Sequence, residues 1–269
     1  MYEGQGTGMI WDAEDYRAYS SQQKKWGREL IAKMALKGDE HVLDIGCGDG
    51  ELTVEIAGLV PDGGVLGIDS SPEMIELASR TYPPQEFTNL DWRLMDAKEI
   101  SFAEEFDFAF SNAVLHWVDD QPEVLRRVKE ALRPGGRVLF QMGGRGNAMD
   151  MAMVLVSMLA REEWNRYFHG FVLPYHFQGP EEYRGWLEEA GLRPLRVELM
   201  NRDMVQKGRE GLAGWVRTTW IPFTQRIPEE KREVFISELV DGYLEKFPLD
   251  GDGLAHMNAV RLEVEAVKP

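Results

Sequence analysis

One stretch constrains this chain more than any other: Val42-Leu43-Asp44-Ile45-Gly46-Cys47-Gly48-Asp49-Gly50, followed by Gly67-Ile68-Asp69. The first run reads as a buried strand that breaks into a glycine loop and opens a helix. The second reads as a neighbouring strand ending in a carboxylate about 20 residues on, the spacing that suits a grip on a ribose. Together they imply a nucleoside cofactor lying across the ends of two adjacent parallel strands. The plain alternative, a tight strand-to-helix turn that binds nothing, leaves the place of Asp69 unexplained.

The letters around the glycines say which cofactor. A dinucleotide fingerprint puts a third small residue three positions after its second glycine, so that helix and strand pack closely. Counted from Gly48, that position is Glu51. Here the glycines alternate at Gly46, Gly48 and Gly50, with Asp44 two places before the first. A carboxylate at that strand end suits a ligand with a positive end, such as the ammonium of a methionine moiety, and would repel a pyrophosphate.

This D-x-G-x-G-x-G arrangement resembles the first motif of class I S-adenosylmethionine (SAM)-dependent methyltransferases. Asp69, Asp96, the stretch from Phe108 to Val118 and Leu132-Arg133-Pro134-Gly135-Gly136 fall in the order of that family's motifs, over roughly residues 10–200. The resemblance implies a SAM site made of Asp44, Gly46, Cys47, Gly48, Gly50, Asp69, Ser70, Asp96, Ala97 and Asn112. In it the glycines admit the methionine portion and Asp69 accepts both ribose hydroxyls. Asp96 with Ala97 meets the adenine edge, and Asn112 lies beneath the sulfonium. For Asp96 a solvated loop acid is the competing reading.

A narrower likeness follows from Trp11-Asp12 with Tyr16, from Ser111-Asn112-Ala113-Val114-Leu115-His116-Trp117-Val118, and from Trp215-Val216-Arg217 with Ile227-Pro228-Glu229-Glu230. These resemble the trans-aconitate and juvenile hormone acid methyltransferases, which esterify small carboxylic acids. By that resemblance Gln23 and Trp117 bind an acceptor carboxylate. Tyr16, Ser20 and Gln23, one helical face apart, reach a common pocket. Arg145 is a candidate partner for a substrate anion. Each has a bland alternative: Trp117 a core aromatic, Gln23 and Arg145 ordinary surface residues.

Charge narrows the partners. The 269 residues carry 30 basic against 46 acidic side chains, a net −16. That field opposes nucleic acid, whose binding rests on neutralised phosphates, and works against capture of multiply anionic substrates. The expected partner is a small-molecule acceptor, and a tricarboxylate fits the charge poorly. Oligomeric state is not fixed by the sequence. Cys47 is the only cysteine, so neither an internal disulfide nor a cysteine-based metal site is expected, and a small residue under the cofactor is the simpler reading than a catalytic thiol. No apolar run reaches the ~18 residues of a membrane span, and the start lacks the regions of a signal peptide, so a cytoplasmic protein is expected.

Periodicity supplies the organisation. Trp11 to Lys37 reads as a helix with Trp26, Leu30 and Met34 on one stripe, stopped at Gly38-Asp39. Strands at 41–45, 65–68, 90–94, 106–110 and 137–142 alternate with helices, which predicts an α/β fold with a doubly wound, mostly parallel, seven-stranded Rossmann-like sheet. The expected division is a SAM-binding core with an N-terminal helix over 1–142, a cap insertion over 143–179, and a return to core over 180–202. A helical cap over 203–255 and a final core strand over 256–269 complete it. Ala148 to Trp164 reads as one Met-rich helix; Met149, Met151, Met153 and Met158 are either core or an apolar acceptor lining.

The chemistry implied is methylation of a small molecule, with a carboxyl oxygen as the favoured acceptor atom. A carboxylate is ionised at neutral pH and needs alignment and desolvation more than a base. A phenol or amine would want one. His116 is the candidate base, against the reading that it hydrogen-bonds backbone. Two other classes stay open: a methyltransferase of RNA or protein, and a module that binds SAM without turnover.

Overall fold

The structure, a computed structural model, describes residues 21–269. Up to Gly143 the chain alternates as its apolar runs predict: α1 (Ser21–Ile31), β1 (His41–Ile45), α2 (Glu51–Leu59), β2 (Gly64–Asp69), α3 (Pro72–Thr81), β3 (Leu90–Leu94), β4 (Phe106–Asn112), α4 (Gln121–Ala131) and β5 (Leu132–Gly143). Then come α5 (Met149–Leu159), α6 (Glu162–Asn165), α7 (Pro180–Glu189), β6 (Arg193–Lys207), α8 (Gly208–Thr219), α9 (Ile221–Thr224), α10 (Glu229–Lys246) and β7 (Leu254–Val267). Local chemistry sets several starts. Ser71 accepts the Met74 N–H ahead of Pro72, so α3 opens with a side-chain cap and a proline that has no N–H to waste.

The strands form one sheet in the order β3-β2-β1-β4-β5-β7-β6. β1 pairs in parallel with β2 and with β4, and β4 with β5, while β7 runs antiparallel to β5. The order reverses between β1 and β4, and in an open sheet a ligand crevice lies at the carboxyl ends of strands flanking such a reversal. Both faces are covered. Leu43, Ile45, Ile68, Val124, Leu125 and Tyr183 pack on one side, and Leu30, Met34, Val42, Ile56, Phe108 and Phe110 on the other. Each such side chain withdrawn from water contributes about 1.5–3 kcal/mol.

The chain gathers into two compact units. The sheet unit holds 21–147, 175–202 and 259–269; the helical unit takes 148–174 and 203–258 of the described residues. Within the helical unit, Trp164 packs edge-on against Phe235 at 5.1 Å, and its indole N–H donates to Glu238 at 3.0 Å. Arg209 holds Asp241 and Arg217 holds Glu233. No helix among the described residues is long and apolar enough to cross a membrane.

Several expectations need correction. The described part of the first helix stops at Ile31, six residues before Lys37: Lys33 and Met34 switch to tighter turns onto Leu30 and Ile31, and Ala35 takes a left-handed backbone. The strand expected at 137–142 starts earlier: β5 begins at Leu132 opposite Phe106 and bulges through Pro134-Gly135-Gly136 before Arg137 rejoins Phe108. The Met-rich helix is broken at the extended Arg161, giving α5 and α6. Met151 and Met158 are buried, but Met149 and Met153 are exposed. β6, which lies in the segment expected to return to the core, runs on to Lys207, and the last strand starts at Leu254, so the segment 203–255 is not helical throughout. Tyr16, Ser20 and the proposed start of the first helix lie outside the described residues.

Candidate active site

The glycine loop is shaped by close approaches that only a residue without a side chain permits. Gly46 has φ +76°, and a Cβ there would come within 2.2 Å of Val114. Gly50 has φ +82° and faces Trp92, whereas Gly48, at φ +55°, has open space where a Cβ would stand. The N–H groups of Gly46 and Cys47 both donate to the Ile68 carbonyl, tying the loop to β2. A backbone ledge open at Gly48 results.

Two carboxylates flank it. Asp44 is buried and accepts the Thr53 hydroxyl at 2.6 Å. Burial, reinforced by the charge of Asp69, pushes its carboxyl up to about 7. Asp69 ends β2 and accepts the Gly48 N–H at 3.0 Å through one oxygen and the Ser71 N–H at 2.9 Å through the other. Burial raises Asp69 as well, with those N–H donors pulling the other way. Each oxygen keeps a lone pair for a further donor. Ser70, next to it, is exposed. Burial also pushes the Cys47 thiol up, which suits a packing residue and not a reactive thiolate.

Asp96 caps a single turn, Ala97–Glu99, by accepting the Lys98 N–H at 2.8 Å, and Ala97 is buried behind it. At the end of β4, Asn112 donates to the Gln23 carbonyl at 3.2 Å. The oxygens Asn112 Oδ1 and Gln23 Oε1 are both buried without a partner. Buried acceptors left unmatched are costly, so this corner calls for a donor-bearing ligand. A cationic amino acid moiety supplies such donors. The open ledge, the paired lone pairs of Asp69 and these orphaned oxygens therefore fit SAM.

His116 and Trp117 follow β4. His116 is buried, and its Nδ1 accepts the Gly143 N–H at 3.3 Å. Burial, and next the charge of Arg261, pushes its pKa well down, so the ring is neutral. With Nδ1 accepting, the single ring proton sits on Nε2, which can donate but not take a proton. This is the backbone-bonded arrangement, the alternative to His116 as a base. Trp117 packs at 4.7 Å against Tyr175 with the ring planes tilted by 50°, and Tyr175 stacks on Phe177 at 5.2 Å. Arg145 pairs with Glu182 and, at 3.7 Å, with Glu181 at the start of α7.

Sequence reasoning missed two groups here. Lys24 of α1 reaches Asp49 at 2.8 Å and Glu51 at 2.5 Å, and Arg28 takes Glu51 and Glu55. The signal was present: two cations four apart on one helix, two acids four apart on the next. Tyr175 and Phe177 were missed because the extended stretch 175–178 reads as plain loop. It is held by the His176 N–H to the His116 carbonyl and by a bridge from Gly144 to Gln178.

Comparison with known proteins agrees with this architecture. Residues 36–191 match the family model described as methyltransferase domain. An uncharacterised methyltransferase of Schizosaccharomyces pombe is 32% identical over 82% of this chain and 84% of its own. The trans-aconitate 2-methyltransferase of Deinococcus radiodurans is 30% identical over 81% and 84%. Among solved structures, phosphoethanolamine N-methyltransferase 2 of Haemonchus contortus with bound S-adenosyl-L-methionine aligns with a TM-score of 0.61 at 20% identity, covering 96% of this chain and 56% of that one.

Proposed function

The chain belongs to the methyltransferase-domain family and is a SAM-dependent methyltransferase, and on that premise we propose that it methylates the carboxylate of a small organic acid. When bound, SAM supplies an electrophilic methyl group on a sulfonium. Gly46, Gly48 and Gly50, with Cys47 packed beneath, receive its methionine portion, and Asp44 faces the ammonium. Asp69, with Ser70 beside it, takes the ribose hydroxyls. Asp96 and Ala97 meet the adenine, and Asn112 completes the methionine end.

The observation that carries the choice of acceptor is the state of His116. Its Nδ1 is engaged by Gly143 and its proton sits on Nε2, so the carboxyl edge of β4 offers a donor where a phenol or amine would need a base. A carboxylate asks for no proton removal; it asks to be desolvated and aligned. Trp117, with Tyr175 behind it, gives an aromatic wall for that purpose, and Gln23 adds an amide. The trans-aconitate 2-methyltransferase of Deinococcus radiodurans, named for a small carboxylic acid, supports the same substrate class.

The test is transfer of labelled methyl from SAM to a panel of small acids, phenols and amines, each product then treated with mild base. Release of labelled methanol is the expected result. A labelled but base-stable product, or label found only on RNA or protein, overturns the reading.

A further inference from the structure

The last strand carries a buried cation at the same edge. Arg261 lies on β7 in register with Gly143, the terminal residue of β5, and is only 5% exposed. Its guanidinium stands over the ring of Trp26, from α1, at 5.5 Å. Its charge is also felt by His116, whose Nδ1 is held by the N–H of that same Gly143. Thus one short region, where β4 and β5 end, gathers a guanidinium, an imidazole N–H and the Trp117–Tyr175 wall. In a chain of net charge −16, donors for an anion have to be local, and the guanidinium of Arg261 brings several coplanar N–H groups to this edge.

We propose that Arg261 and His116 form the anion subsite for the acceptor, with the guanidinium and the Nε2–H taking one oxygen of its carboxylate. The proposal rests on the carboxylate reading above and specifies it: a monocarboxylic acid with a flat or apolar body against Trp117 and Tyr175. Guanidinium suits the task because its donors are coplanar and charge-assisted bonds to carboxylate are the strong ones. The other carboxylate oxygen keeps its lone pairs. Its bond to the methyl carbon forms as the carbon–sulfur bond breaks, the bonding pair staying on sulfur. Carboxylate and sulfonium become ester and thioether, and no proton is released. His116 therefore acts as a fixed donor throughout, which is what its bond from Gly143 enforces.

The experiment measures binding of benzoate, decanoate and trans-aconitate by calorimetry to the full chain saturated with S-adenosylhomocysteine, beside ester formation from SAM. In Arg261→Met the dissociation constant of the preferred acid rises at least 30-fold while that of S-adenosylhomocysteine stays within threefold, and Arg261→Lys recovers part of the loss. On the unaltered chain, so that folding of a variant is not at issue, benzoate or decanoate binds at least 30-fold more tightly than benzamide or decanamide. Equal binding of acid and amide, or undiminished acid binding in a folded Arg261→Met, overturns the subsite while leaving esterification intact. Preference for trans-aconitate over both monoacids overturns the stated substrate class. Absence of any base-labile product from the unaltered chain fails the parent reading, and this proposal with it.

Discussion

Lys24 Nζ lies 2.8 Å from Asp49 Oδ2, with only 10% and 8% of the two side chains exposed. The pair joins α1 to the middle of the glycine loop, between two glycines whose backbone is left-handed. Removing one partner of a buried ion pair costs more than the pair contributes, because the other charge is stranded; about 3–5 kcal/mol is usual. Lys24→Met is therefore expected to lower stability toward urea by about 3 kcal/mol. It should weaken S-adenosylhomocysteine about tenfold, or about 1.4 kcal/mol. Adding Asp49→Asn should restore most of the stability, and a purely additive double variant counts against the strap.

Gly46 and Gly48 separate strain from collision. Both are left-handed, but only Gly46 is crowded, a Cβ there meeting the stiff Val114 side chain at 2.2 Å. Gly48→Ala pays backbone strain alone, roughly 1 kcal/mol, and should still bind cofactor product. Gly46→Ala should abolish that binding in calorimetry, and Val114→Ala should return part of it.

Asp44 predicts a pH dependence of cofactor binding. Its carboxyl, raised to about 7 by burial, is largely protonated in mild acid. An ammonium placed against it favours the ionised form, so binding below that value must expel a proton. Affinity for S-adenosylhomocysteine should fall as pH drops from 7 to 5.5, by up to about tenfold per unit. Asp44→Asn should bind weakly with no such slope.

His256 predicts a pH dependence of stability. Its two ring nitrogens lie 2.8 Å from Asp203 and 2.9 Å from Asp250, and these acids raise its pKa. A raised folded-state value means stability fully present below the ordinary histidine range and lost as pH rises through the folded value. The Tm difference between the unaltered chain and His256→Gln should be largest near pH 5.5 and shrink by pH 9. A constant difference would assign the effect to packing.

What the sequence made legible was local. Asp44, the alternating glycines and Asp69 could be found because strand, turn and helix are set within a few residues by sterics and capping, and the parallel order follows from the alternation of periods. What stayed hidden depends on partners far along the chain. Arg145 looks free until α7 brings Glu182 beside it, and Lys24 is any surface lysine until α1 meets the loop. Arg261 reads as the outward half of an alternating strand, yet it is buried, because β7 is covered on both faces. The continuation of β5 through Pro134-Gly135-Gly136 was missed for the opposite reason: the local breaker signal was real, but pairing across the sheet absorbed it as a bulge.

The position of β7 has a consequence for how the molecule is made. It lies between β5 and β6 in the sheet but is the last of the seven strands to be synthesised. At the usual ~5–20 residues per second, the ribosome takes roughly 6–22 s to pass from the end of β5 to the start of β7. Throughout that interval the outer edge of β5 is an open row of amides and carbonyls, and β6, once made, waits for its neighbour β7. Open edges are templates for the wrong partner. The nascent chain thus has the five strands around its glycine loop long before the antiparallel side of its sheet can close, and that closure turns on the arrival of Leu254–Val267.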